Sequence, residues 1–183
     1  MESTGKRLEL LKLVTPGVGE IAVLWNPDES NSALNMKELQ VKSRGLGLQL
    51  VPFGVRDDAA LKQFLEAPID RSHRALYVVP GPMFVTNLQA IATFARTNGL
   101  PSVFHLPEFT HMGGLLAYGP DRADLFRRVA AYIDRILKGV KPAELPVEQP
   151  VKYDLSVNLR TAKAVGVSVP PHLAERLIRP SDG

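Results

Sequence analysis

Three side chains able to bind metal or exchange protons, His105, Glu108 and His111, fall within one seven-residue stretch of the sequence. Zinc sites built from such residues commonly place two histidines on one helix in a His-Glu-x-x-His pattern. The spacing here does not fit that pattern, and nothing nearby completes a ligand shell. We therefore interpret the stretch as a loop with two unrelated histidines, and His73 and His172 likewise have no evident partners.

The sequence also lacks the motifs of the common enzyme classes. It contains no cysteine, which excludes disulfides, thiolate nucleophiles and cysteine-ligated zinc. The glycines at 17–19 and 45–47 do not extend to a phosphate-binding G-x-G-x-x-G or Lys-Ser/Thr motif, and no G-x-S-x-G nucleophile elbow occurs. We predict no catalytic residues, no cofactor and no metal.

Apolar runs and turn residues alternate regularly along the chain. Four strands are predicted at 21–25, 48–53, 75–79 and 101–104, and the first is a continuous apolar run, typical of a strand buried on both faces of a parallel sheet. Amphipathic helices are predicted before and between these strands, and a strand, a long helix, a second strand and two short helices after residue 113. Predicted helix caps are Thr4, Asn31 or Ser32, Asp57 or Asp58, Asp121 and Asn158. The alternation predicts an α/β fold, a parallel sheet with helices on both faces.

Polar and turn residues follow three of the predicted strands, at 25–27, 80–83 and 105–109. Ligands of open parallel sheets bind outside the carboxyl ends of the strands, where helix N-termini offer free N–H groups. A single residue such as Asn31 or Ser32 has a plain alternative role as a helix cap. The three turns taken together are interpreted as a ligand cleft.

The overall composition is that of an ordinary globular protein. Of the 183 residues 45% are hydrophobic, and 22 basic against 19 acidic residues give a net charge of +3. So small an excess gives no reason to expect nucleic-acid binding. No run reaches the roughly 20 apolar residues that span a bilayer, and the first residues lack the apolar core of a signal peptide. The chain as written is expected to be soluble and cytoplasmic.

Six segments share a pattern with a known family in their order and spacing. They are residues 6–12 (KRLELLK), 21–27 (IAVLWNP), 113–120 (GGLLAYGP), 136–139 (ILKG), 145–150 (LPVEQP) and 158–166 (NLRTAKAVG). Together they resemble ABC transporter substrate-binding proteins of the tryptophan/tyrosine-binding type, over nearly the whole chain. The resemblance implies one lobe of a type I periplasmic-binding-protein fold, and a small solute such as an amino acid bound between two lobes and passed to an ABC permease.

The resemblance further implies a domain division and a periplasmic location. Residues 1–112 and 147–183 correspond to the C-terminal α/β lobe, and 113–140 to a strand and helix that complete the N-terminal lobe, most of which is missing here. Without that lobe, the strand at 114–118 would have an open edge and the helix at 125–137 an uncovered apolar face. We predict that the chain either forms a homodimer through 113–140 or folds this segment back on itself.

The ligand-binding residues are assigned by position within this resemblance. They are Asn26, Asn31, Ser32, Gly81, Pro82, Met83, Glu108, Phe109 and Tyr118. Their polar side chains would hydrogen-bond the ligand, and Phe109 and Tyr118 would enclose its apolar part. Two alternatives remain at this point: a doubly wound α/β enzyme, and an orphan interaction domain that binds no solute.

Overall fold

The structure is a computed structural model that describes residues 2–69 and 75–174. His73 and the last part of the lobe predicted to reach residue 183 lie outside the described residues, as does the side chain of His172.

Helices and strands alternate through the described residues. The helices are α1 (Glu2–Val14), α2 (Ser30–Leu46), α3 (Asp58–Glu66), α4 (Pro82–Thr86), α5 (Leu88–Thr97), α6 (Glu108–His111), α7 (Arg122–Leu137), α8 (Leu159–Ala164) and α9 (Pro171–Ala174). The strands are β1 (Glu20–Trp25), β2 (Gln49–Gly54), β3 (Leu76–Val78), β4 (Ser102–Phe104), β5 (Leu116–Pro120) and β6 (Tyr153–Val157). The predicted α/β class is confirmed.

Local capping residues determine several of the helix starts. The predicted caps Asp57, Asp121 and Asn158 are confirmed, because each side chain accepts a hydrogen bond from the backbone N–H three residues further on, at 2.8–3.0 Å. This bond satisfies one of the amide groups that have no partner within the helix. Short-range chemistry therefore fixes where α3, α7 and α8 begin.

Two predicted helix starts were wrong. Thr4 lies inside α1, which already begins at Glu2, and its hydroxyl bonds the Asn35 side chain of α2. Asn31 and Ser32 lie in the first turn of α2, whose N-cap is Glu29. The Thr4 hydroxyl bonds a neighbouring helix and the Ser32 hydroxyl accepts from the Asn26 N–H, so neither is used as the expected cap.

The six strands form one sheet in the order β2-β1-β3-β4-β5-β6. The first five strands are parallel, and β6 runs antiparallel to β5. From β1 the chain moves outward to β2 and then crosses back to β3 on the other side of β1. Because such crossovers are right-handed, α2 covers one face of the sheet and α3 and α5 cover the other.

Both faces of the inner strands β1, β3 and β4 are buried, which explains their apolar sequences, whereas the edge strand β2 has no fully buried residue. Along β3, Leu76 and Val78 point to the layer that contains α3 and α5, whereas Tyr77 points to the layer that contains α1 and α2. All three side chains are at most 1% exposed. A strand covered in this way needs apolar side chains at successive positions.

Strand β5 belongs to this same sheet, so the open edge predicted at 114–118 was wrong. Leu116 pairs with Val103 of β4 on one side and with Val157 of β6 on the other. Leu116 and Ala117 are buried, and that burial of apolar area favours an interior position in the sheet. Within residues 113–140, only the helix α7 has the exposed apolar face that was predicted.

Gly119 permits β5 to approach the end of β4, and its replacement tests this contact. A Cβ on Gly119 would lie 2.1 Å from the carbonyl oxygen of His105. Because backbone cannot give way as a flexible side chain can, we expect Gly119→Ala to lower the free energy of unfolding by about 1–3 kcal/mol in urea titrations.

Gly45→Ala is the matched control for this change. Gly45 lies in α2, and no described atom comes within 4 Å of an added Cβ. The same substitution there should raise stability by about 0.5–1 kcal/mol, because alanine favours the helix. A loss of similar size at both positions would contradict the close approach at Gly119.

Candidate functional site

The carboxyl ends of β1 and β3 lie side by side at the point where the chain changes its winding direction. Strand β1 leads into α2 on one face, and β3 leads into α4 and α5 on the other. In doubly wound sheets, helices diverge at such a switch point and leave a crevice in which ligands bind. The turns at 26–29 and 79–82 lie on either side of this switch point, and the space between them is the candidate crevice.

Asn26 organises the turn that follows β1. Its backbone N–H donates to Ser32 Oγ at 3.1 Å, and its side-chain Oδ1 accepts from the Asp28 N–H at 2.9 Å. Its Nδ2 donates to Glu29 Oε1 at 3.1 Å. Asn26 and Ser32 are buried, so their polar groups bond within the protein, whereas Asn31 is exposed. The structure thus gives Asn26 and Ser32 a role in holding the turn, and their contact with a ligand stays a prediction.

The turn that follows β3 begins α4. The Gly81 carbonyl accepts from the Phe84 and Val85 N–H groups at 3.1 and 3.2 Å. Pro82 occupies the first helical position, where its missing N–H costs no hydrogen bond. Gly81 is buried at the crevice, Met83 is half-buried, and Pro82 is exposed.

The turn that follows β4 holds two of the predicted residues in different environments. Glu108 Oε1 forms an ion pair with Arg122 Nη1 at 2.8 Å. Phe109 is completely buried, its ring centroid lies 5.8 Å from that of Phe104, and it fills the space beside Gly114. Phe109 therefore packs the core in this structure, and its predicted contact with a ligand stays a prediction.

Tyr118 lies in the middle of β5, just beyond the level at which β4 ends. Its ring stacks on that of Tyr153 with a centroid distance of 5.5 Å and an interplanar angle of 14°. Its carbonyl accepts from Arg7 Nη1 at 3.2 Å. The half-buried Tyr118 ring is thus held in a fixed orientation beside the other strand ends, and an aromatic pair of this kind presents an apolar surface.

Arg7 of α1 is a buried cation that sequence reasoning missed. Its Nε donates to Tyr77 Oη at 2.9 Å and its Nη2 donates to Thr4 Oγ1 at 3.2 Å. Burial raises the pKa of the Tyr77 hydroxyl, and the nearby Arg7 charge partly opposes that rise. In the sequence Arg7 is one of several charged residues on an amphipathic helix, and nothing local indicates its partner 70 positions away.

His105, near the end of β4, feels the positive charges of Arg7 and Arg122 and remains neutral at physiological pH. Burial, followed by the positive charges of Arg7 and Arg122, lowers its pKa from 6.5 to about 4. Within the described part of the chain, His105 Nδ1 and Glu108 Oε2 are buried atoms without a hydrogen-bond partner. The turn after β4 therefore contains buried polar atoms whose hydrogen-bonding capacity is not used.

Two surface depressions lie away from the strand ends. One, of about 900 Å³, lies at the opposite edge of the sheet and is lined by residues such as Val18, Leu100 and Val167. The other, of about 610 Å³, lies along α5. Within residues 2–69 and 75–174, no cluster of three or more His, Asp or Glu side chains could hold a metal ion. In the same residues, no helix combines the length and apolarity needed to cross a membrane.

The low pKa of His105 predicts a pH-dependent stability. In the unfolded chain His105 takes up a proton near pH 6.5, whereas in the folded chain it does so only near pH 4. The unfolded state therefore binds more protons in this window, and stability falls as the pH drops through it, by on the order of 2 kcal/mol given the partial exposure of the ring. His105→Gln should remove this contribution in urea titrations, and His111→Gln, at an exposed position, should not.

The chain is similar to known proteins along almost its whole length. The sequence profile of the ABC transporter substrate binding protein family matches residues 1–178. A curated tyrosine-binding protein of Clostridioides difficile (strain R20291) is 23% identical over 163 residues, covering 89% of this chain and 47% of that protein. This chain thus spans about half the length of that relative.

Solved structures share the fold. A conserved domain protein from Vibrio cholerae matches with a TM-score of 0.86 and 23% identity, over 96% of this chain and 59% of that one. An ABC domain from Streptococcus pneumonia, crystallised with L-Trp, matches with a TM-score of 0.80 and 21% identity, over 96% and 61%. Because the family profile covers nearly the whole sequence, this chain belongs to the ABC transporter substrate-binding protein family.

Proposed function

We propose that this chain is the ligand-binding lobe of the solute-binding component of an ABC-type import system. The observation that carries the proposal is the switch point, where the turns after β1 and β3 meet next to the ends of β4 and β5. In sheets of this topology that edge is where small ligands bind. As in the family, the protein would act outside the cytoplasmic membrane and pass its ligand to a permease.

The proposed ligand is an amino acid or a similar small organic molecule. The relatives that match this chain include a tyrosine-binding protein and a domain crystallised with L-Trp, so aromatic amino acids are the first class to examine. The stacked ring of Tyr118 offers an apolar surface to such a side chain, and the turns after β1 and β3 offer polar groups. The nine residues predicted from the sequence would form one wall of the site or, where they are buried, support it from behind.

The second wall would come from another lobe. The chain spans 59% and 61% of the two solved chains described above, which leaves room in those proteins for a further domain. We propose that the ligand is held in a cleft between two lobes, and that residues 1–112 and 147–174, joined by β5, form the lobe described here. Since β5 completes the sheet of this lobe, only α7 and its flanking residues would contact the other one.

Helix α7 presents its apolar face to solvent. Large apolar side chains with helical spacing are 39–82% exposed on this face: Phe126, Val129, Ile133, Ile136 and Leu137. The described structure does not fold the helix back onto itself or onto the sheet. An apolar stripe of this kind is typical of a surface that another protein covers.

The polar side of α7 is the side attached to the rest of the chain. Arg128 pairs with Glu148 at 2.8 Å, and Tyr132 Oη donates to the Pro146 carbonyl at 2.7 Å. This arrangement reverses the usual one, in which the apolar side faces the protein. We therefore propose that α7 docks on a surface outside this chain, which in isolation is the α7 face of a second copy. An interaction domain without solute binding would use the same face, whereas nothing in the site favours an enzyme.

Ligand binding is tested by thermal unfolding of the chain with a panel of amino acids, short peptides and aromatic acids. A ligand present at ten times its Kd adds about 1.4 kcal/mol to the free energy of unfolding, which raises Tm by a few degrees. We expect saturable stabilisation by at least one amino acid. A flat response to the whole panel would contradict the solute-binding proposal and favour an interaction domain.

Association through α7 is tested by sedimentation equilibrium. Val129→Asp places a charge in the middle of the exposed apolar face, and we expect it to convert the dimer to a monomer. Val41→Asp makes the same change on α2, where Val41 is 68% exposed, and should leave the dimer intact. A wild-type chain that is monomeric at high concentration would contradict the proposed dimer.

A further inference from the structure

The Glu29 carboxylate at the end of β1 is held in the crevice but is not used by its own helix. Glu29 is the N-cap residue of α2, with φ −93° and ψ 118°, yet its side chain forms no capping hydrogen bond. Instead, Oε1 accepts from Asn26 Nδ2 at 3.1 Å. Asn26 is 6% exposed, and its other polar atoms bond Ser32 and Asp28, so it is a rigid support for this carboxylate.

The turn after β3 makes room for the same carboxylate. A Cβ on Gly81 would lie 2.9 Å from Glu29 Oε2 and 3.3 Å from Oε1. The backbone of Gly81 has φ −169° and ψ 149°, an extended conformation that any residue adopts. Glycine is therefore not required here by the shape of the chain. What its missing side chain provides is space for the Glu29 carboxylate across the switch point.

The charge of Glu29 has no counter-ion among the residues that the structure describes. The neighbouring Asp28, by contrast, pairs with Arg56 at 2.6 Å on the surface. An ionised carboxylate can accept about four hydrogen bonds, and Asn26 supplies one to Glu29. A half-buried carboxylate with this much unused accepting capacity favours a cationic donor from outside the chain.

We propose that Glu29 receives the ammonium group of the ligand at the crevice between β1 and β3. An ammonium group has three N–H donors on a compact charge, which suits a carboxylate reached from one open side. Glu29 is then the residue that selects primary amines, amino acids included, over ligands of the same shape without an amino group. This inference rests on the proposed function, because it concerns how the same site recognises its ligand.

The experiment compares an amino acid with its deamino analogue in heteronuclear NMR titrations of the full chain. The amino acid is the member of the panel that stabilises the chain most, and for L-tryptophan the analogue is indole-3-propionate. We expect the wild-type chain to bind the amino acid about 10- to 100-fold more tightly than the analogue, since a charge-assisted hydrogen bond is lost with the amino group. Glu29→Gln should reduce that preference to about 3-fold or less.

Two further variants distinguish the effect of the Glu29 charge from the effect of its position and from general damage to the turn. Asp28→Asn removes the adjacent carboxylate of the same turn, whose partner is Arg56, and should leave the preference unchanged. Gly81→Ala keeps the Glu29 charge but moves it, because the new Cβ would meet Oε2 at 2.9 Å. It should reduce the preference without unfolding the chain, as its extended backbone accepts alanine.

The outcomes distinguish this inference from the proposed function. An undiminished preference in folded Glu29→Gln would overturn the role of Glu29 while leaving solute binding in place. So would a wild-type chain that binds both compounds equally, or one stabilised only by ligands without an amino group. A wild-type chain that binds no member of the panel would overturn the proposed function, and this inference with it.

Discussion

The order of the strands is the constraint on which the rest of this structure depends. Because β1 lies between β2 and β3, the chain must wind outward first in one direction and then in the other. Right-handed crossovers then send α2 and the pair α4–α5 to opposite faces, and the turns before them cannot close over each other. The approach of Glu29 to Gly81 across this opening follows from that strand order.

Polar groups at the carboxyl edge serve the fold as well as the site. Asn26 uses its amide and backbone to hold the β1 turn, and Arg7 joins α1 to Tyr77 of β3 and to the Tyr118 carbonyl of β5. Buried groups of this kind must find partners, and each partner fixes an element in place. The edge is thus preorganised before any ligand arrives, which reduces the entropy that binding must overcome.

The segment from β5 through α7 belongs to the sheet at one end and faces outward at the other. Hydrogen bonds on both sides of β5 anchor it, whereas α7 contacts the chain through polar residues such as Arg128 and Tyr132. Its uncovered apolar face is consistent with a chain that spans about half the length of its curated relative. The same segment thus joins the sheet to a helix whose apolar side chains are exposed.

The sequence by itself determined the features that depend on near neighbours. The apolar runs of β1 to β4 predicted the parallel sheet, and Asp57, Asp121 and Asn158 predicted helix starts, because each cap bonds an amide three residues away. The same sequence also predicted a ligand-binding edge at the strand ends, because ligands of such sheets bind where the winding direction reverses.

Only the tertiary structure decided which side chains meet. Arg7 and Tyr77 are 70 positions apart, and Glu29 and Gly81 are 52, so no local pattern indicates either contact. Phe109, whose contact with a ligand stays a prediction, packs in the core beside Gly114, and β5 pairs with strands on both sides. Periodicity and capping report on the chain within a few residues, whereas long-range contacts form only when the sheet brings distant turns to one edge.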